Sequence, residues 1–389
     1  MKEEYEPILY KSREQAEVRE LIKDGKINEV IDNFSEELEN LFRIDFPFIT
    51  PGNPEYGVTL KRFVERYLNG KNEIDVGVWA YYPWRHVLVH LPEFEDFLKL
   101  RTARNKFLIN NEEQQKFYSA KIGIAGLSVG LSVVNSLALS GGGGQMRIAD
   151  FDSLSIVNLN RLHSSVCDLG RDKAIIAARK IFEINPFQKL QIFKDGITVE
   201  NRDSFFGKNS SKLTVFVEEM DDIKLKIETR FKARELRIPV VMATDNGDNA
   251  MVDVERFDLE PERKLFHGRV SETKLMRVTG KPTMTEKIKL ASTIVGADIT
   301  PRTRLSLTMV GTKIPAWPQL GNAATLSGVC VSYIVRRIVT GLNMPSGRYE
   351  VSLDERLDSD YQSKESIRER ASDKKEFVHT LNTIFGEDL

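Results

Sequence analysis

The sequence predicts an α/β protein: a Rossmann-like, doubly wound and mostly parallel sheet, preceded by an N-terminal α+β accessory unit. Three observations carry this. From residue 121 short apolar runs alternate with helical patterns, a glycine-rich turn follows the first run, and an acidic pair closes the second. Strands separated by helices of this length pair in parallel through right-handed crossovers.

KIGIAG is a short apolar strand entering the glycine turn, and LSVVNSLALSG is a helix ended by Gly141. QMRIADFD is a second strand closing on Asp150 and Asp152, and KAIIAARKIFEIN is a helix stopped at Asn185-Pro186. LQIFKDGI and LTVFVEE are the third and fourth strands, IKLKIETRFKARELR is another helix, and IPVVMA is a buried strand.

Residues 1–100 read as the accessory unit. EVRELIKDGKINEVIDNFSEELENLFRID has apolar residues at helical spacing, interrupted near Gly25. TLKRFVERYLNG is a helix with its stop at Gly70, and VGVWAYYPWRHVLVHL is a hairpin around Pro83. Trp79, Tyr81, Tyr82 and Trp84 are read as core and interface, the ordinary use of large aromatics. His86 and His90 have the four-residue spacing that binds metal on a helix, but here they fall on a strand. The tail from 354 is dense in charge and reads as solvated.

Composition narrows the function classes. A net charge of -1 from 56 basic and 57 acidic residues provides no general field for nucleic acid or anionic membrane. No run approaches the length of a membrane span, and MKEEYEPILYKSREQ is unlike a targeting peptide, so the expected location is the cytoplasm. Cys167 and Cys330 are the only cysteines, too few for a four-cysteine zinc site.

Gly126-Leu-Ser128-Val-Gly130 matches the G-x-S-x-G elbow of a hydrolase, which would make Ser128 a nucleophile. It is also a near miss to the turn that cradles a nucleotide phosphate. The surroundings favour the nucleotide. Asp150 stands at the end of the second strand, where a carboxylate accepts bonds from ribose hydroxyls. A hydrolase would need a later acid and histidine, and neither His163, His267 nor His379 shows an acid partner in the sequence. Ser128 then contributes one hydroxyl at the phosphate.

ADFDSLSIVNLNRLHSSVCDLGRDKAIIAARKIFEINP resembles the ThiF/MoeB/HesA adenylyltransferase superfamily, the fold of the ubiquitin-activating enzymes. The family's D-x-D appears as Asp150 and Asp152, its N-L-x-R as Asn158 to Arg161, and its G-x-x-K as Gly170 to Lys173. RTARNKFLINN resembles the preceding R-x-x-R segment, with Arg104 as its second arginine, and PQLGNAATLSGVCVSYIVRRIVTG resembles the closing loop and helix. The resemblance implies an adenylation domain over 101–348, with 245–317 as a variant crossover and 349–389 as a charged tail. It implies ATP and Mg²⁺ as cofactors, without zinc, and a carboxylate substrate: a ubiquitin-like protein or peptide C-terminus, or a small acid. Gly126, Ser128 and Gly130 would hold phosphates, Asp150 and Asp152 the ribose side, and Asn158, Arg161 and Lys173 the nucleotide. Asp221 would bind the metal, and Arg104 would reach the ATP site of the partner subunit in a homodimer.

The chain departs from the family pattern in places. The glycine turn has lost two glycines, Glu219-Met-Asp221-Asp222 replaces the usual D-x-T-D-N segment, and the arginine that usually follows is Lys226. Beside Asp221, Glu219 and Asp222 are read as solvated. No cysteine lies between 244 and 317, so an acyl-carrying cysteine on that loop is excluded. Cys330 reads as a buried small residue; Cys167 lies in a loop near Arg161 and Lys173, cations that favour a thiolate, but a lone loop cysteine is ordinarily incidental and it is read so here. VDVERFDLEPERKLFHG resembles a subgroup often fused to a nitroreductase-like flavin domain, which implies a stand-alone member or one with a separate flavoprotein partner. Two other readings remain: an NAD(P)-binding oxidoreductase on the same fold, and a non-catalytic nucleotide-binding adaptor in a heteromeric activator.

Overall fold

In the computed structural model, residues 4–11, 15–278 and 284–385 are described. The chain divides into two units. One holds Met1–Gln115, Ala138–Gly141 and Ala178–Lys189; the other holds Lys116–Leu137, Gly142–Ala177 and Leu190–Leu389.

The first unit is built on β1 (Ile8–Lys11), α1 (Gln15–Lys23), β2 (Glu29–Asp32), α2 (Phe34–Asp45), α3 (Tyr56–Leu68), β3 (Val78–Tyr82), β4 (Val87–Leu91) and α4 (Phe94–Thr102). Its sheet runs β1-β3-β4-β2. The hairpin β3–β4 forms as expected, with β3 buried along its whole length. Two strands, β1 and β2, were not legible. The stretch around Val30 and Ile31 fits a helical period, yet these β-branched residues pair in parallel with β4 as the exposed edge strand β2. Trp79 and Tyr81 pack with Val18 and Leu88 as core. His90 lies between the rings of Phe34 and Trp79, 4.1 and 4.2 Å away, with its nitrogens 2.8 Å from Asp32 Oδ1 and 2.7 Å from the Val76 carbonyl. His86 faces the Lys26 carbonyl instead, so each histidine is engaged in holding the sheet.

After α5 (Asn111–Ser119) the alternation begins: β5 (Lys121–Ala125), α6 (Val129–Leu139), β6 (Gln145–Ala149), α7 (Lys173–Ile184), β7 (Lys189–Phe193), α8 (Arg202–Phe206), β8 (Val215–Glu218), α9 (Ile223–Glu235) and β9 (Val240–Asn246). Then come β10 (Asn249–Glu255), α10 (Glu272–Met276), α11 (Met284–Val295), α12 (Pro301–Met309), α13 (Gly321–Thr340), β11 (Gly347–Val351), α14 (Leu353–Leu357) and α15 (Lys364–Phe385). The seven strands run β11-β10-β9-β8-β5-β6-β7. β5 pairs in parallel with β6 and β8, and β8 with β9. Ile122, Ile124, Val215 and Val217 are fully buried, which is why these strands read as continuous apolar runs.

The antiparallel strands β10 and β11 extend the sheet. β10 lies in the stretch read as crossover. Gly247 (φ +69°) and Asp248 form the tight turn that folds it back on β9, a two-residue connection of the kind that glycine permits. Among the described residues α13 is the one helix long and apolar enough to cross a bilayer by length and composition. Here Ala323, Ala324, Val331 and Val335 are buried in the fold. The charged tail is anchored along one side: Phe377 of α15 is buried with Met251 and Ile299, and Asp373 and Lys374 pair with Arg304 and Asp298, while most of the helix is solvated.

Candidate nucleotide site

The turn after β5 is shaped by close approach. Gly126 adopts φ +86°, and a Cβ there would stand 2.3 Å from the Glu219 carbonyl oxygen, so only glycine fits. At Gly130 a Cβ would meet Ile124 at 3.2 Å, which explains a small residue where the first turn of α6 closes on β5. The N-terminus of α6 therefore points its free N–H groups and positive dipole end out of the turn, the arrangement that attracts phosphate.

Asp150 braces that turn. Its Oδ2 accepts from the Leu127 N–H at 2.6 Å, and its Oδ1 accepts from the Asp152 N–H at 2.8 Å. Burial raises its pKa, against the opposing pull of Lys173 and the two backbone bonds. Each oxygen retains a lone pair for a ribose hydroxyl. Lys173 opens α7 and is buried; its Nζ donates to Asp152 Oδ2 at 2.7 Å. The cation is thus held at the cleft wall by a carboxylate that is itself half exposed.

One cleft is lined by Gly126, Ser128, Asp150, Asp152, Lys173 and Asp221. Arg161 joins it through Ser128: its Nε donates to Ser128 Oγ at 3.1 Å. Its Nη1 donates to the Val157 carbonyl and to Asn160 Oδ1. Burial lowers the Arg161 pKa, while Asp221 and Asp245 pull it back up, which places both carboxylates in its field. Asn158 is used differently. Its Oδ1 accepts from the Ser155 N–H at 3.0 Å, capping the short 3-10 helix Ile156–Asn158 that carries the loop toward Arg161. Arg104 belongs to the other unit, where it lines a separate cavity.

The acidic stretch after β8 divides in a way the sequence did not show. Asp221 is exposed at the cleft. Asp222 is exposed too, and its Oδ1 caps α9 by accepting from the Leu225 N–H at 2.9 Å. Glu219, read as solvated, is buried instead. Its Oε1 accepts from the Ala243 N–H on β9 at 2.9 Å, and burial pushes its pKa well up.

Glu218 is fully buried between Lys226 and Arg230. Burial alone would raise its pKa, but the two cations outweigh it and hold the carboxylate ionised. Arg230, also fully buried, donates through Nε to Glu255 Oε2 at 2.8 Å, and Glu255 Oε1 accepts from the Phe266 N–H at 2.7 Å. Lys226, a departure from the family pattern, is thus a structural partner of Glu218. No periodicity in the sequence announces such pairs, because they join residues on β8, α9 and β10.

Asp245, at the end of β9, was also missed. It is buried, accepting from Ser327 Oγ at 3.0 Å and Gln319 Nε2 at 3.1 Å, while Asn160 Nδ2 donates to the Gln319 carbonyl at 2.7 Å. The loop before α13 is thereby tied to the loop that carries Arg161. His267 does have an acid partner, contrary to the sequence reading: its Nε2 lies 2.9 Å from Asp253 Oδ1. Its Nδ1 is occupied by Arg263, which makes it a poor base for a serine, and Ser128 is bonded to Arg161. The cleft has the contents of a nucleotide site. Cys167 is exposed and Cys330 half-buried, its pKa raised by burial.

Over 280 residues the chain is 35% identical to the uncharacterized protein MT1398 of Mycobacterium tuberculosis, covering 72% of this chain and 38% of that protein's length. It is 25% identical over 176 residues to the tRNA threonylcarbamoyladenosine dehydratase of Bacillus subtilis, covering 43% of this chain and 68% of the relative. Among solved structures, Escherichia coli MccB with MccA-N7isoASN superposes with a TM-score of 0.47 at 15% identity, covering 81% of this chain and 84% of the other. The family model matches residues 102–345, which contain the glycine turn, Asp150, Arg161, Lys173, Asp221 and the loop before α13: the chain belongs to the ThiF family.

Proposed function

We propose that this protein adenylates a carboxylate with ATP and Mg²⁺, forming an acyl adenylate and releasing pyrophosphate. One observation carries the reading. Lys173 and, through Ser128, Arg161 border a cleft that also holds the exposed carboxylate of Asp221 and lies at the N-terminus of α6, in a member of the ThiF family.

In this reading the substrate carboxylate oxygen attacks the α-phosphorus and the bond to pyrophosphate breaks. Negative charge grows on the transferred group and on the leaving group, and fixed cations stabilise it most effectively where water is excluded. Arg161 is positioned for this by Ser128, Val157 and Asn160; Lys173 is positioned by Asp152. Ser128 Oγ accepts from Arg161, so its own proton is free to be donated to a phosphate oxygen. Asp150 receives the ribose. Asp221 fits Mg²⁺, which takes one or two carboxylates and completes its shell with phosphates and water. When bound, Mg²⁺ neutralises charge on the departing pyrophosphate.

The substrate class in this proposal is a peptide or protein C-terminus or a small acid. A homodimer would bring Arg104 to the partner's nucleotide, a separate flavoprotein would act on the product, and the setting would be cytoplasmic. ATP titration by calorimetry, with and without Mg²⁺, tests the core of the reading, followed by a screen of carboxylates for pyrophosphate exchange. Mg²⁺-dependent ATP binding and carboxylate-dependent exchange are expected. Binding of NAD(H) without ATP would replace adenylation by redox chemistry, and binding of neither nucleotide would replace it by an adaptor role.

A further inference from the structure

The N-terminal unit contains a cavity of about 520 Å³ between α2 and α4, within the range of small-molecule sites. Leu91, Pro92, Phe97 and Leu100 give it an apolar bed. Three guanidinium groups border it, Arg43 from α2, Arg101 from the end of α4 and Arg104 from the 3-10 turn Ala103–Asn105, against one lining carboxylate, Glu37, with Glu39 paired to Arg43 beside it. We infer that this cavity binds an organic anion: a carboxylate carried on an apolar body.

Arg43 is held in place before any ligand arrives. Its Nε donates to Tyr56 Oη at 3.0 Å and its Nη2 to Glu39 Oε1 at 2.5 Å, which leaves Nη1 for a further acceptor. Arg101 is fixed by the bond from its Nη2 to the Ala138 carbonyl. Arg104 makes no ion pair among the described residues. A planar fork of donors suits a carboxylate, and a pre-fixed guanidinium loses little freedom when the anion docks. The apolar bed would hold the rest of the molecule, since burying an alkyl or aryl group there removes it from water. The inference shares Arg104 with the homodimer contact proposed above, but it needs neither ATP nor a partner copy.

The test uses the full chain and ligand-observed NMR with 4-phenylbutyrate, its uncharged amide, and a short peptide ending in phenylalanine as free acid or as amide. The acids are expected to bind at least about tenfold more tightly than the amides. Ile44→Trp and Ala103→Trp, which fill the cavity, should each abolish binding while leaving the circular dichroism spectrum unchanged. Arg43→Gln should weaken the acids and leave the amides alone. Preference for the peptide acid assigns the anion to a chain end, and preference for 4-phenylbutyrate assigns it to a free small acid. Equal binding of acid and amide, no binding to the native chain, or native-like binding by folded Ile44→Trp and Ala103→Trp chains would overturn the inference.

Discussion

Arg161 Nε lies 3.1 Å from Ser128 Oγ, and the direction of that bond decides what the serine does. Guanidinium can only donate, so Ser128 accepts, and its proton points elsewhere. A nucleophilic serine needs a base to take its proton; this one faces a cation. Ser128→Ala should therefore weaken ATP binding by only about tenfold, the worth of a single hydrogen bond. Arg161→Ala should slow pyrophosphate exchange by ~10²–10³-fold, the usual loss when a donor to developing charge is removed. Exchange assays on the two variants check the ranking; equal losses would mean that the serine takes part in the chemistry.

Asp221→Ala should abolish Mg²⁺-dependent exchange and leave the fold intact, because the side chain is exposed and its removal uncovers no core. Exchange rates beside a thermal unfolding curve are the measurement. Unchanged exchange would remove the mechanism.

Gly126→Ala should damage both stability and ATP binding. The added methyl would meet the Glu219 carbonyl in a backbone conformation that side chains rarely adopt, a penalty of ~1–3 kcal/mol. Urea midpoints and ATP titrations should fall together, since the turn serves both.

Arg230→Met should be among the most harmful substitutions in the protein. It leaves Glu218 and Glu255 buried with only Lys226 nearby, and losing one member of a buried ion pair costs ~3–5 kcal/mol. Denaturant unfolding reads this directly. A change under about 1 kcal/mol would show that the network is hydrated in solution.

Acid should loosen the fold through Asp253. Burial would raise its pKa, but bonds from His267 and Arg348 outweigh that and hold it at about 2. Its folded value lies below its unfolded one, so the stabilisation is complete above about pH 5 and worth ~2 kcal/mol. It is lost as pH falls from about 4 toward 2, where the unfolded chain takes up the proton first. Urea midpoints between pH 6 and 2.5 should fall less steeply in Asp253→Asn than in the native chain.

Much of this architecture was legible because it obeys local periods. The strand of Ile122 and Ile124 and the helix stopped at Asn185 follow directly from apolar spacing. The motif residues Asp150, Arg161 and Lys173 could be named because their spacing along the chain is fixed. The residues that escaped are those whose roles arise from contacts across the fold. Glu219 and Asp222 look alike in sequence, yet one points beneath the glycine turn and the other caps a helix in solvent. Val30 and Ile31 suited a helix until β4 offered them a partner.

The family match ends at residue 345, but the sheet does not. β11 covers the outer edge of β10 over five residue pairs, from Ala250–Val351 to Val254–Gly347. Without it, β10 would present a row of unpaired backbone donors and acceptors on a strand of buried residues, which is a template for another chain to add itself. The segment just past the family domain therefore covers an edge that would otherwise be open to self-association. A chain cut at the family boundary would keep every nucleotide-site residue and still fail by aggregation.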